Sequence, residues 1–118
     1  QLAHEAAKAP VPLLPGVATA SELMAATDSG FECFKLFPAQ QIGGVGLLKA
    51  LGGPFPNARF CPTGGITPDN APSYLALPNV ACVGGSWLAP SAWVQDKNWA
   101  GLTELARQAC ALGGTLAA

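Results

Sequence analysis

A lysine set inside an apolar run is the residue that most demands a chemical account in this sequence. It stands in Glu32-Cys-Phe-Lys-Leu-Phe-Pro38. If that run is a strand, successive side chains alternate between faces, so Cys33, Lys35 and Phe37 share one side and Phe34 and Leu36 the other. With Phe34 and Leu36 against helices, Lys35 faces the inside of the sheet, beside Phe37 near the strand's C-terminal end, where it is expected to be largely buried. An ammonium held among apolar groups loses hydration, which favours the neutral amine, and a neutral amine attacks a carbonyl carbon to form an imine. Taken alone, the run favours a plainer reading, a lysine at a strand end that snorkels to solvent or pairs with a carboxylate. Two further segments shift the balance. Arg59-Phe-Cys-Pro-Thr-Gly-Gly-Ile66 and Val80-Ala-Cys-Val-Gly-Gly-Ser86 each close an apolar run on paired glycines beside a hydroxyl. Unscreened backbone amides at such positions can surround a phosphate. One Gly-Gly also serves a tight turn, whereas two in register after successive strands point to a shared anion site.

The elements that must hold these residues alternate along the chain. Apolar runs at 11–17, 32–38, 58–62 and 79–84 are each followed by turn residues and a segment with helix signals. Such β-α-β-α alternation, recurring every twenty-odd residues, is the pattern of a parallel sheet with crossover helices. Thr19-Ala-Ser-Glu22 fits a capping box, and Thr67-Pro68 sets a capping hydroxyl before a proline that the first helical position tolerates. Helices are thus expected over 20–29 and 68–76. A third is expected over 42–51, where Leu47, Leu48 and Leu51 share a face despite early glycines, and a last one over 99–112, packed on the outside of the sheet. Four βα units leave two sheet edges unpaired, whereas eight close into a barrel of about 200 residues or more. Residues 1–8 read as the tail of a helix whose strand is absent. The expected architecture is therefore α/β, the C-terminal half of a (β/α)₈ barrel with four parallel strands, residues 1–118 forming one partial domain.

Composition narrows the function classes. The 118 residues are 50% hydrophobic and 11% charged, as in a chain that builds a core. Six basic against seven acidic residues leave no surplus for a nucleic-acid backbone or an anionic membrane, so a small-molecule ligand is favoured. Pro and Gly interrupt every apolar run before the roughly 18 residues of a spanning helix accumulate. Cys33, Cys61, Cys82 and Cys110 form no C-x-x-C pair, and they read as small buried hydrophobes of a reducing cytoplasm, with neither disulfide nor metal. His4 lies alone in a polar stretch without a companion ligand.

Phe34-Lys-Leu-Phe-Pro-Ala39, Arg59-Phe-Cys-Pro-Thr-Gly-Gly65 and Gly84-Gly-Ser-Trp-Leu88 resemble the C-terminal half of the bacterial 2-keto-3-deoxy-6-phosphogluconate (KDPG) aldolase family, also called 2-keto-4-hydroxyglutarate (KHG) aldolase. The likeness runs over nearly the whole chain. It implies that Lys35 forms the imine with pyruvate, that Phe37 lines the pocket, and that Thr63, Gly64, Gly65, Gly84, Gly85 and Ser86 hold the phosphate. It further implies a metal-free class I aldolase acting on a phosphorylated keto acid without a cofactor, and a homotrimer. One departure is local: the family usually has glutamate after F-P-A, where this chain has Gln40. The larger one is that nothing here matches the family's general-base glutamate or the arginine and threonine that hold the pyruvate carboxylate. Glu22, Glu32 and Asp69 are poor substitutes. An alternative is thus a non-catalytic, phosphate-binding half-barrel.

Overall fold

A computed structural model describes residues 5–6 and 10–113. Its centre is a parallel sheet of three strands in the order β1-β2-β3, with β1 at Gly16–Val17, β2 at Cys33–Leu36 and β3 at Arg59–Pro62. Gly16 registers with Lys35, and Lys35 in turn with Cys61. The crossover segments carry helices α1 (Ala20–Asp28), α2 (Gly44–Leu51) and α3 (Ala71–Leu75). A short 3₁₀ turn (Ser86–Leu88), α4 (Ser91–Gln95) and α5 (Trp99–Ala111) follow.

Two of the four expected strands differ from the expectation. The first is only two residues long, because Pro12 and Pro15 lack the N–H that a ladder requires, and residues 11–14 are exposed. The fourth run, 79–84, is not a strand. It lies parallel to β3 through two isolated bridges, Phe60 to Val80 and Thr63 to Gly84. The four residues from Phe60 to Thr63 thus lie opposite the five from Val80 to Gly84, so one extra residue breaks the ladder between the bridges. Three hydrogen bonds still fasten it: Phe60 N–H to Asn79 O (2.8 Å), Ala81 N–H to Phe60 O (3.0 Å) and Gly84 N–H to Pro62 O (2.9 Å).

The core lies on the helix side of the sheet. Phe34, Leu36 and Phe60 are fully buried there with Leu23 of α1, Leu48 of α2 and Tyr74 of α3. The capping box of α1 is formed: Thr19 accepts from the Glu22 amide, and the Glu22 carboxylate accepts from the Thr19 and Ala18 amides. Helix α3 starts at Ala71 rather than at residue 68. Thr67 and Asn70 bond reciprocally across an intervening turn, which uses the threonine as a turn former before the helix begins. Helix α2 begins at Gly44, two residues late, since residues 38–43 form turns. Helix α5 has the expected span to within a residue, yet none of its residues is buried. Of the segment read as a helix tail, Glu5 and Ala6 are helical; its other residues, His4 included, lie outside the described set. Among the described residues, no helix is long and apolar enough to cross a membrane.

Candidate active site

Alternation along β2 places Phe34 and Leu36 in the core and Cys33, Lys35 and Phe37 on the opposite face. Lys35 is half-buried, not largely buried, because among the described residues no helix covers that face. Its Nζ lies 5.2 Å from the centre of the Phe37 ring, within range of a cation–π contact, while the ring is 51% exposed. Backbone bonds hold the lysine firmly: its N–H donates to Pro15 O (2.9 Å), and the N–H of Phe37 donates to Val17 O (3.1 Å). Gly16, its neighbour on β1, leaves open space on that side.

The two Gly-Gly turns follow adjacent segments at the same end of the sheet. Thr63 and Gly84 are bridged, and a methyl group on Gly84 would sit 2.6 Å from Thr63 Oγ1. Gly64 and Gly65 have φ of +96° and +73°, a region L side chains rarely adopt. Gly64 packs under Phe37, whose ring carbons lie 3.2 Å from where its Cβ would be. The chain after β2 is tied to the first turn by Ala39 N–H to Thr63 O (2.8 Å) and Gln40 N–H to Gly64 O (3.0 Å). Among the described residues, the Gly65 and Gly85 amides have no backbone acceptor. The structure thus brings Lys35, Phe37, Thr63, Gly64, Gly65 and Gly84 together, and Gly85 and Ser86 continue from that cluster into the 3₁₀ turn. Three concavities of about 320, 350 and 360 Å³ lie elsewhere, none of them lined by Lys35.

Over residues 1–105 the sequence matches the family profile described as KDPG and KHG aldolase. The chain belongs to this aldolase family. It is 55% identical over 104 residues to the 2-dehydro-3-deoxy-phosphogluconate aldolase of Pseudoalteromonas atlantica, an alignment covering 88% of this chain and 48% of that one. The KHG/KDPG aldolase of Escherichia coli is 49% identical over 108 residues, covering 92% and 51%. Among solved structures, the Legionella pneumophila KDPG aldolase with pyruvate captured as a covalent carbinolamine superposes with a TM-score of 0.88 at 49% identity, covering 92% of this chain and 52% of that one. The Zymomonas mobilis enzyme with 3-phosphoglycerate gives 0.83 at 44% identity, covering 94% and 52%. The chain spans about half the length of the aldolases it matches.

Two features of this aldolase segment depart from the sequence reading or escaped it. The cysteines are not buried hydrophobes: all four are free thiols, Cys61 is half-buried, and Cys33, Cys82 and Cys110 are exposed. The alternation that turns Lys35 to the uncovered face carries Cys33 and Cys61 with it. Partial burial and the neighbouring Cys61 thiol push Cys82 up to about 11. Among the described residues, no group of three His, Cys, Asp or Glu could hold a metal ion. The escaped feature is a hydrogen bond from the Tyr74 hydroxyl to Gln40 Oε1 (2.5 Å), which spans 34 residues of sequence. Of the carboxylates weighed above, Glu22 serves the α1 cap, Glu32 immediately precedes β2 at the end away from the glycine turns, and Asp69 is exposed in the turn before α3.

Proposed function

We propose that this chain is the C-terminal half of a (β/α)₈ class I aldolase, supplying its imine lysine and phosphate cradle. The observation that carries the reading is the placement of Lys35: on the uncovered face of a parallel sheet, beside Phe37, at the end where two glycine turns converge. Support comes from the Legionella relative, whose pyruvate is held covalently as a carbinolamine.

Lys35 adds to the keto carbon of KDPG, and loss of water from the carbinolamine gives an iminium. The C4 hydroxyl gives its proton to the general base and becomes the aldehyde carbonyl as the C3–C4 bond breaks, the iminium takes up that bond's electron pair, and glyceraldehyde 3-phosphate leaves behind an enamine. Protonation of the enamine at C3 and hydrolysis return Lys35 and pyruvate. Cleavage of 4-hydroxy-2-oxoglutarate to pyruvate and glyoxylate follows the same course without a phosphate. Electron demand is met by the iminium, so the scheme requires no metal. Thr63, the Gly65 and Gly85 amides and Ser86 hold the substrate phosphate, and Phe37 walls the keto-acid side. Proton transfer needs a group within hydrogen-bond reach, and in this reading it comes from the half of the barrel to which this segment does not correspond. The whole enzyme is read as a cytoplasmic homotrimer.

Trapping tests this reading. In the polypeptide containing this segment, pyruvate with borohydride should add a stable mass to the peptide bearing Lys35, and Lys35→Ala should abolish the adduct. An adduct on another lysine, or none, refutes it.

A further inference from the structure

Gly85 is a glycine for a reason its backbone does not supply. It is extended (φ −153°, ψ 143°), a conformation open to any residue. What it lacks is space: a Cβ there would fall within the indole of Trp87, with ring atoms Cζ3, Cε3 and Cη2 its three nearest neighbours. The indole, two residues further on, is thus folded back over Gly85. At Gly84 the space is taken instead by Thr63, across the bridge to the end of β3. Neighbours from two different elements therefore occupy the side-chain positions of both glycines. Backbone bonding does less to hold this stretch, since Leu88 N–H to Gly85 O is 3.5 Å and Ala89 N–H to Ser86 O is 3.3 Å. Bonds of that length are weak, and a Gly-Gly pair has more conformational freedom to lose than any other dipeptide. The ring itself is anchored. Trp87 is half-buried, packs against the core, and helps to line the concavity of about 360 Å³ between residues 80–83 and α5, where Ala106 and Ala109 form the other wall.

We propose that Trp87 is a positioning residue for the anion subsite: its indole, held between the core and α5, clamps Gly85 and so fixes the Gly85 amide and the exposed Ser86 that lies between the two residues. The inference rests on the phosphate reading above and names the side chain that makes the second turn rigid. A loose Gly-Gly pair would have to be ordered by the ligand, and that ordering would reduce affinity. With the turn already set, a phosphate meets donors that need no rearrangement. The indole touches no ligand; it acts through the backbone.

The test uses the full-length aldolase that contains this segment, assayed in the condensation direction with pyruvate and either glyceraldehyde 3-phosphate or unphosphorylated glyceraldehyde. The wild type should have a much lower KM for the phosphorylated aldehyde. Trp87→Leu, which keeps apolar bulk without a flat ring, should raise that KM by about tenfold, the scale of leaving one residue's backbone to be ordered on binding. The kcat with glyceraldehyde 3-phosphate and the KM for glyceraldehyde should change by less than about twofold, as expected when only phosphate binding is touched. Trp87→Phe, which restores a ring, should recover most of the loss. Gly85→Ala, whose methyl displaces the indole, should impair the enzyme as Trp87→Leu does and add little in the Trp87→Leu background. If the wild type discriminates between the aldehydes and Trp87→Leu discriminates as well, Trp87 has no positioning role, while the anion site stands. Equal losses on both aldehydes also overturn the proposal, since general damage would not follow the phosphate. If Trp87→Leu does not fold, Gly85→Ala carries the test, and undiminished discrimination there overturns the proposal. If the wild type does not prefer the phosphorylated aldehyde, the anion site itself falls, and the proposal with it.

Discussion

Thr63 and Gly84 share one small volume, and the contact sets a measurable limit on both. A methyl on Gly84 would stand 2.6 Å from Thr63 Oγ1 and 3.2 Å from its Cγ2, so Gly84→Ala should cost about 1–3 kcal/mol in thermal unfolding. Thr63→Ala leaves only the Thr63 Cβ nearby, at 3.5 Å, so the double variant should recover much of that loss in a mutant cycle. Ser86→Ala acts differently. In the complete aldolase it should raise KM for the phosphorylated substrate and leave the unphosphorylated 4-hydroxy-2-oxoglutarate nearly unaffected, and equal effects on the two would remove Ser86 from the phosphate site. The Cys82 thiol gives a pH signature. Its folded value of about 11 lies above the usual 9.0, so the stabilisation it brings is complete below pH 9 and is lost as pH rises from 9 towards 11. Replacement by serine should flatten that alkaline decline. Lys35 was legible in the sequence because a charge within an apolar run is conspicuous and strand alternation assigns its face. The same alternation applied to Cys33 and Cys61 contradicts their reading as core residues, which followed residue type instead. Gln40 stood out only as a departure from the family pattern, and its contact with Tyr74 left no local signal, for it exists only once α3 packs on the loop after β2.

At the level of elements, local chemistry was the better guide where both partners lie within one turn. The Thr19–Glu22 box is such a case, and Thr19→Ala should lower stability by about 1 kcal/mol by removing the acceptor for an orphan helix amide. The amides of Ala18 and Thr19 hold the Glu22 carboxyl below its ordinary 4.5. Its contribution is therefore present above that value and lost as pH falls through the lower, folded one. Urea denaturation from pH 7 to 3 should show the contribution fading in the wild type and absent in Glu22→Gln. Elements defined by long-range pairing were less legible. Hydrophobicity marked residues 79–84 as a strand, but pairing depends on register with β3, and the extra residue between the two bridges decides the outcome. Prolines at 12 and 15 are legible in the sequence, and their missing N–H groups confine the first strand to Gly16–Val17. Helix α5 shows the converse: its stripe of Leu102, Leu105 and Ala109 was read correctly as a helix, while its burial depends on what packs over it.

For the whole molecule, the proposed half-barrel reading implies that the group moving the proton lies outside this segment. The isolated chain should show no aldolase turnover, because positioned acid–base groups commonly contribute 10²–10⁴-fold and carboxylate anchoring adds to that. Pyruvate release within about tenfold of the complete enzyme would show that a carboxylate within this chain, or the substrate phosphate, moves the proton. Its uncovered sheet face and free edges should also make it self-associate, and sedimentation at increasing concentration would reveal that. The two faces of β2 carry a further consequence for tolerance to mutation. Phe34 and Leu36 are sealed at 0% and 1% exposure, while Cys33 and Phe37 are open. Substitutions at 34 and 36 should reduce how much protein accumulates in a cell, whatever its activity. Substitutions at 35 and 37 should leave abundance intact and affect only growth that depends on the aldolase. A saturation library read for both traits would thus separate along this strand with a period of two, so that selection for stability and selection for chemistry act on alternate codons of the same short stretch of gene.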